Sequence, residues 1–113
     1  MPDQTMITGI TAIFIPVPDV EKAKDWYEKY LELKWNGFCF VVPSGPPIFL
    51  TESKDRWELQ ALSFKVTDAH ELHKKLETHG IRVQAIREIP GIGKEFDFYD
   101  PFGNKLQATQ PSF

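Results

Sequence analysis

Tyr99-Asp100-Pro101-Phe102-Gly103-Asn104-Lys105-Leu106-Gln107-Ala108-Thr109 reads as strand, turn, strand. Asp100 suits the first position of a type I turn, where its carboxylate accepts bonds from nearby backbone N–H groups. Pro101 presets φ at the second position, and Gly103 suits the fourth. Beyond the turn the residues alternate: Lys105, Gln107 and Thr109 share one face, Leu106 and Ala108 the other. A fainter copy lies upstream in Pro43-Ser44-Gly45-Pro46-Pro47-Ile48-Phe49-Leu50-Thr51. At an offset of 58, Pro43 matches Pro101, Gly45 matches Gly103, Ile48 matches Leu106 and Thr51 matches Thr109.

Further out, the copy continues at an offset of 49, with Ala12 on Ala61, Ile15 on Phe64, Val17 on Val66, Asp19 on Asp68 and Glu28 on Glu77. Each half is therefore strand, helix, then about three strands, one unit used twice. In the first unit, residues 8–17 read as a strand and Asp19 as a helix N-cap. Val20, Ala23, Tyr27, Tyr30 and Leu31 follow at helical spacing as a buried stripe. Residues 33–42 read as strand interrupted at Asn36-Gly37 by a hairpin or bulge, and residues 48–52 as a short strand. In the second unit, residues 57–66 read as a strand, and Asp68 with Glu71 makes a capping box. Gly80 stops that helix. Residues 82–89 and 95–99 read as strands around the loop Pro90-Gly91-Ile92-Gly93. The fold class is α+β, one domain over residues 1–113, built from module 1 (about 8–53) and module 2 (about 57–110).

Composition narrows the function classes. An apolar content of 42 % supplies a core, and a net charge of −3 with mixed signs leaves no basic face for nucleic acid. The single cysteine, Cys39, excludes an intramolecular disulfide framework and suits a reducing, cytoplasmic setting. No apolar run approaches membrane-spanning length, and no signal-type segment opens the sequence.

The paired βαβββ order resembles the vicinal oxygen chelate superfamily, which contains glyoxalase I, bleomycin-resistance proteins and extradiol dioxygenases. Two further stretches carry the likeness: the entry Ile13-Phe14-Ile15-Pro16-Val17-Pro18-Asp19 running on to Trp26-Tyr27, and the turn Asp100-Pro101-Phe102-Gly103-Asn104. The resemblance implies two modules forming a curled mixed sheet around a cleft. It also implies a homodimer in which cleft walls can be shared.

Metal-dependent members of that superfamily carry ligands on the first and last strands of each module. Here those positions are Ala12, Ala61 (or Leu62, one residue on), Phe49 and Gln107. Ala, Phe and Leu offer no donor, and a lone Gln is a poor ligand for a transition metal, so the metal-free, binding-type branch is favoured. His70, His73 and His79 cluster on or beside the second helix and read as surface residues. Cys39 reads as a small buried hydrophobe.

Strand alternation then assigns the cleft lining: Phe14, Phe49, Lys65, Asp97, Tyr99 and Gln107, with Trp35 and Phe38 closing one end. A mostly apolar, aromatic cleft with a few polar groups suits a small, partly aromatic or planar molecule, bound without a metal or other cofactor. Two alternatives stay open. One is a metal-dependent lyase, isomerase or dioxygenase with rearranged ligands. The other is a metal-free enzyme using Asp97, Tyr99 or Lys65 as acid or base.

Overall fold

Two N-caps set the plan of the chain. In the computed structural model, which describes residues 6–112, Asp19 accepts from the Lys22 N–H at 3.1 Å and Asp68 from the Glu71 N–H at 3.0 Å. Both caps have extended backbone, and they open α1 (Val20–Leu31) and α2 (Ala69–Thr78). The helix ends differ. Gly80, at φ +75°, closes α2 with a Schellman pair, Ile81 N–H to Leu76 O and Gly80 N–H to Glu77 O. At the end of α1 the left-handed position is filled by Glu32, at φ +55°.

Around α1 lie β1 (Ile13–Val17), β2 (Lys34–Trp35), β3 (Phe40–Val41) and β4 (Ile48–Glu52). Around α2 lie β5 (Ser63–Lys65), β6 (Arg87–Ile89), β7 (Gly93–Tyr99) and β8 (Lys105–Pro111). They form two four-stranded mixed sheets, ordered β1-β4-β3-β2 and β5-β8-β7-β6. The repeat holds to the residue: Phe14 lies opposite Phe49 in the parallel pair of one sheet, and Ser63 opposite Gln107 in the other. These are equivalent positions under the two offsets. The sheets do not close on each other. Among the described residues, no strand pairs with the outer edge of β1 or of β5.

Three segments are shorter strands than the alternation alone implies. β1 begins at Ile13 rather than near residue 8. Residues 57–62 stay irregular because Trp57 spends its backbone on the turn that follows β7: its N–H goes to Asn104 Oδ1 and its carbonyl takes the Lys105 N–H. In the 82–89 stretch, Gln84 donates to Asp97 O while Arg87 lies opposite Glu95. Ala85 and Ile86 therefore share Phe96, a β-bulge that leaves only Arg87–Ile89 as regular strand. Asn36 makes a true hairpin, its side chain accepting from the Phe38 and Cys39 N–H groups. Pro90 and Gly91 form a tight type II turn, with Gly91 at φ +80° and the Ile92 N–H on Ile89 O at 3.0 Å.

The helix-facing residues meet in one cluster that runs through both modules. Ile15, Val17, Tyr27, Phe40 and Ile48 come from the first, and Leu76, Phe96, Phe98, Leu106 and Ala108 from the second. A polar knot ties them. Asn104, wholly buried, donates through Nδ2 to Pro16 O at 2.7 Å and to Asp100 Oδ2 at 2.8 Å, and accepts the Trp57 N–H at 2.6 Å. Asp100 takes the Phe102 and Asn104 N–H groups on Oδ1 and the Tyr27 hydroxyl on Oδ2 at 2.7 Å. The Gly103 N–H on Asp100 O closes the type I turn. Burial, reinforced by the neighbouring Asp100 charge, pushes the Tyr27 phenol well above its ordinary range. The turn that decides the fold is thus a structural tie.

Candidate functional site

Each sheet lays one face on its helix and leaves the other open, and alternation decides which residues stand on the open face. In module 1 these are aromatic. Phe14 and Phe49 stack with centroids 5.3 Å apart, and Phe38 meets Phe49 edge-on at 5.3 Å. Phe14 is 58 % and Phe38 72 % exposed, and Val41 extends the patch. Burying such rings is favourable, so a shared exposed wall of them is a candidate contact surface.

In module 2 the same face is polar and cross-linked. Ser63 and Thr109 share a hydrogen bond of 2.6 Å, Thr109 reaches Gln107 Oε1 at 3.4 Å, and Gln107 Nε2 reaches Asp97 Oδ1 at 3.4 Å. Asp97 is only 3 % exposed. Its carboxylate is held by Arg87 at 3.4 Å and Lys105 at 3.7 Å, and Arg87 also pairs with Glu95 at 3.3 Å. The bond to Asp97 is the main cause that raises the Arg87 pKa. Lys65 stands on this face opposite Thr109, with no carboxylate within ion-pair reach among the described residues.

The residues expected in the cleft therefore fall into two groups. Phe14 and Phe49 come together on one sheet; Lys65, Asp97, Tyr99 and Gln107 share the open face of the other. Tyr99 lies at the far end of that face, with the Arg82 guanidinium 4.0 Å above its ring and Gln84 Nε2 3.2 Å from its hydroxyl. Trp35 is a correction. It lies opposite Phe40 in the β2–β3 pair, packs edge-on against it at 4.9 Å and sits under Lys24, so it belongs to the helix-facing side. With β2 only two residues long, alternation had no run from which to fix its phase. Alternation puts Lys105 on the face of Gln107 and Thr109 but does not assign it to the cleft, and nothing in the local sequence points to Arg87 or Glu95. The bulge at Ala85-Ile86 is what turns Arg87 onto the open face.

The positions where related metal enzymes carry ligands do not suit a metal. Leu62 packs on the core while Ala61 is exposed, so Ala61 is the equivalent of Ala12. The set is then Ala12, Ala61, Phe49 and Gln107. Among the described residues, no three His, Cys, Asp or Glu side chains are grouped to hold an ion. His73 departs from the surface role read in the sequence: it is half-buried, bonded through Nε2 to Gln84 O at 3.0 Å and edge-on to Phe96. Cys39 is buried.

Beside the free edge of β5, a hollow of about 680 Å³ opens between the modules. Ile13, Leu33, Val42, Phe64 and Phe98 wall it, and Ser63 and Lys65 carry it to the polar face.

Comparison with known proteins fits this geometry. The family model described as Glyoxalase/Bleomycin resistance protein/Dioxygenase superfamily matches residues 9–108. Among solved structures, TnmS3, an antibiotic binding protein from Streptomyces sp. CB03234, superposes with a TM-score of 0.80 at 21 % identity, over 96 % of this chain and 100 % of that one. FosX, a fosfomycin resistance protein from Listeria monocytogenes, gives 0.79 at 17 %, over 96 % and 97 %. A superfamily member from Sphaerobacter thermophilus DSM 20745 gives 0.73 at 23 %, over 94 % and 99 %. No curated protein matches. Among the described residues, no helix is long and apolar enough to cross a membrane.

Proposed function

This chain belongs to the glyoxalase/bleomycin resistance protein/dioxygenase superfamily, and on that premise we propose that it binds a small, partly aromatic or planar molecule without a metal. One observation carries this reading. At equivalent register positions, module 1 offers stacked rings (Phe14, Phe49) and module 2 offers fixed polar groups (Ser63, Gln107). An apolar wall facing a few oriented polar groups is the composition of an orienting ligand site. Phe14, Phe38 and Phe49 supply contact area. Gln107, held by Asp97 and Thr109, supplies a directed amide, and Lys65 supplies a charge. Asp97 acts by positioning Gln107, its own carboxylate being held by Arg87 and Lys105. Cys39, single and buried, suits a reducing cytoplasm.

The two walls lie on sheets that do not close, and β1 and β5 both present unpaired edges. A homodimer that sets the aromatic face of one protomer against the polar face of its partner completes the cleft. The titration of chelator-treated protein with a panel of planar aromatic compounds, bleomycin among them, tests the reading. Saturable binding that falls about tenfold or more in both Phe49→Ala and Gln107→Ala is the expected result. Binding that appears only with added nickel, zinc, manganese or iron(II) would overturn it. Sedimentation velocity gives the dimer, and a monomer at micromolar concentration removes that part.

A further inference from the structure

A second hollow, of about 520 Å³, lies beyond the far end of module 2's open face, where α1, the end of α2 and the Asp100–Asn104 turn converge. Trp26, Tyr30 and Tyr99 line it with rings, and Arg56, Arg82 and His79 with nitrogen donors. We propose that it is a separate binding site, for a flat aromatic carboxylate.

The guanidinium of Arg82 carries the proposal. It lies 4.0 Å over the Tyr99 ring, which Gln84 in turn holds by its hydroxyl. Among the described residues, no carboxylate comes within ion-pair reach of it. A guanidinium pinned by its face keeps its rim of N–H donors free, and that fork matches a carboxylate. Arg56 is fixed differently. Its stem crosses Gly103, where an added Cβ would stand 2.9 Å from Arg56 Cδ. Among the described residues its one ion pair, with Glu58, is 3.9 Å long and exposed on both sides, a weak competitor.

The negative groups nearby are already occupied. Both oxygens of Asp100 are spent on the Tyr27 hydroxyl, the Asn104 amide and two backbone N–H groups. At the end of α2 the carbonyls of Lys75, Leu76 and Glu77 are taken by the His79, Gly80 and Ile81 N–H groups. Tyr30, flanked by Trp26 at 5.7 Å and His79 at 5.3 Å, completes an aromatic wall for the ring of the ligand. This site is independent of the cleft under Proposed function and stands or falls without it.

The test follows the Trp26 indole N–H in a proton–nitrogen correlation spectrum, assigned by Trp26→Phe, during titration with 2-naphthoate and with neutral 2-naphthamide. Naphthoate should shift the signal saturably, and naphthamide should bind at least about tenfold more weakly. Arg82→Gln and Arg56→Gln, both at exposed side chains, should each weaken naphthoate by a similar factor. Phe49→Ala should leave its affinity unchanged. An unmoved Trp26 signal, equal affinity for the amide, or full affinity in both arginine variants would overturn the site. So would loss of the Trp26 shift in Phe49→Ala, since the ligand would then be in the sheet cleft.

Discussion

The two modules have one backbone and two surfaces. Position by position, the inward residues agree in kind: Ile15 with Phe64, Val17 with Val66, Ile48 with Leu106, all on the helix-facing side. The outward residues do not: Phe14 and Phe49 stack where Ser63 and Gln107 join a hydrogen-bonded network. The inward set is constrained by close packing, which tolerates change only within shape and volume. The outward set is released from that constraint, so it can diverge into two complementary walls. What differs between the copies, rather than what they share, is where function is to be sought.

The largest break in the symmetry is the polar knot. Asn104 and Asp100 correspond to Pro46 and Val42 in module 1, which can make no such knot. Asn104→Ala strands Pro16 O, the Trp57 N–H and part of Asp100 inside the protein, and should cost about 3–4 kcal/mol in urea unfolding. Pro46→Ala should cost under about 1 kcal/mol. Similar losses in the two variants would mean that the turns are equivalent after all.

Tyr27 sharpens the same contrast, because its counterpart in module 2 is Leu76, equally buried but without a hydroxyl. Tyr27→Phe leaves Asp100 Oδ2 short of one donor and should cost about 1–2 kcal/mol. The native phenol titrates well above its usual value while the unfolded one titrates near 10. The stability linked to Tyr27 is therefore complete below pH ~10 and is lost as the pH rises from there toward the native pKa. Alkaline melts of the wild type should fall more steeply than those of Tyr27→Phe, and parallel curves would remove this linkage.

A direct exchange of surfaces comes next. Phe14→Ser with Phe49→Gln gives module 1 the outward residues of module 2, and should change stability by less than about 1 kcal/mol while abolishing aromatic-ligand binding. The smallest effect concerns the helix ends. Glu32 holds a left-handed conformation that Gly80 adopts freely, and its exposed ion pair with Lys75 contributes little. Glu32→Gly should raise stability by about 0.5 kcal/mol in thermal or urea melts.

The sequence made the periodic and capped parts of this molecule legible. Asp19 and Asp68 cap as their spacing implies, Gly80 ends its helix, and the two offsets reproduce the register of both parallel pairs. The alternation of β8 also put Gln107 and Thr109 on the open face. Short or interrupted strands were not legible. Trp35 sits in a two-residue strand, and the bulge that aims Arg87 depends on partners ten residues away in β7. The knot was legible only in part. Asp100 was readable as a turn former, but its bond to Tyr27 spans 73 residues and Asn104 reaches Pro16 across 88, distances at which local pattern carries no information.

Those 88 residues also set an order in time. During synthesis from the N-terminus, the first sheet and α1 leave the ribosome long before Asn104 is added. Until then the Pro16 carbonyl and the Tyr27 hydroxyl lack the partners they have in the finished fold. Module 1 therefore lacks this tie until the hairpin that carries Asp100 and Asn104 has been made. The contact that ties the two modules is thus among the widest-spanning in the fold, and its loop can close only after both modules have been made.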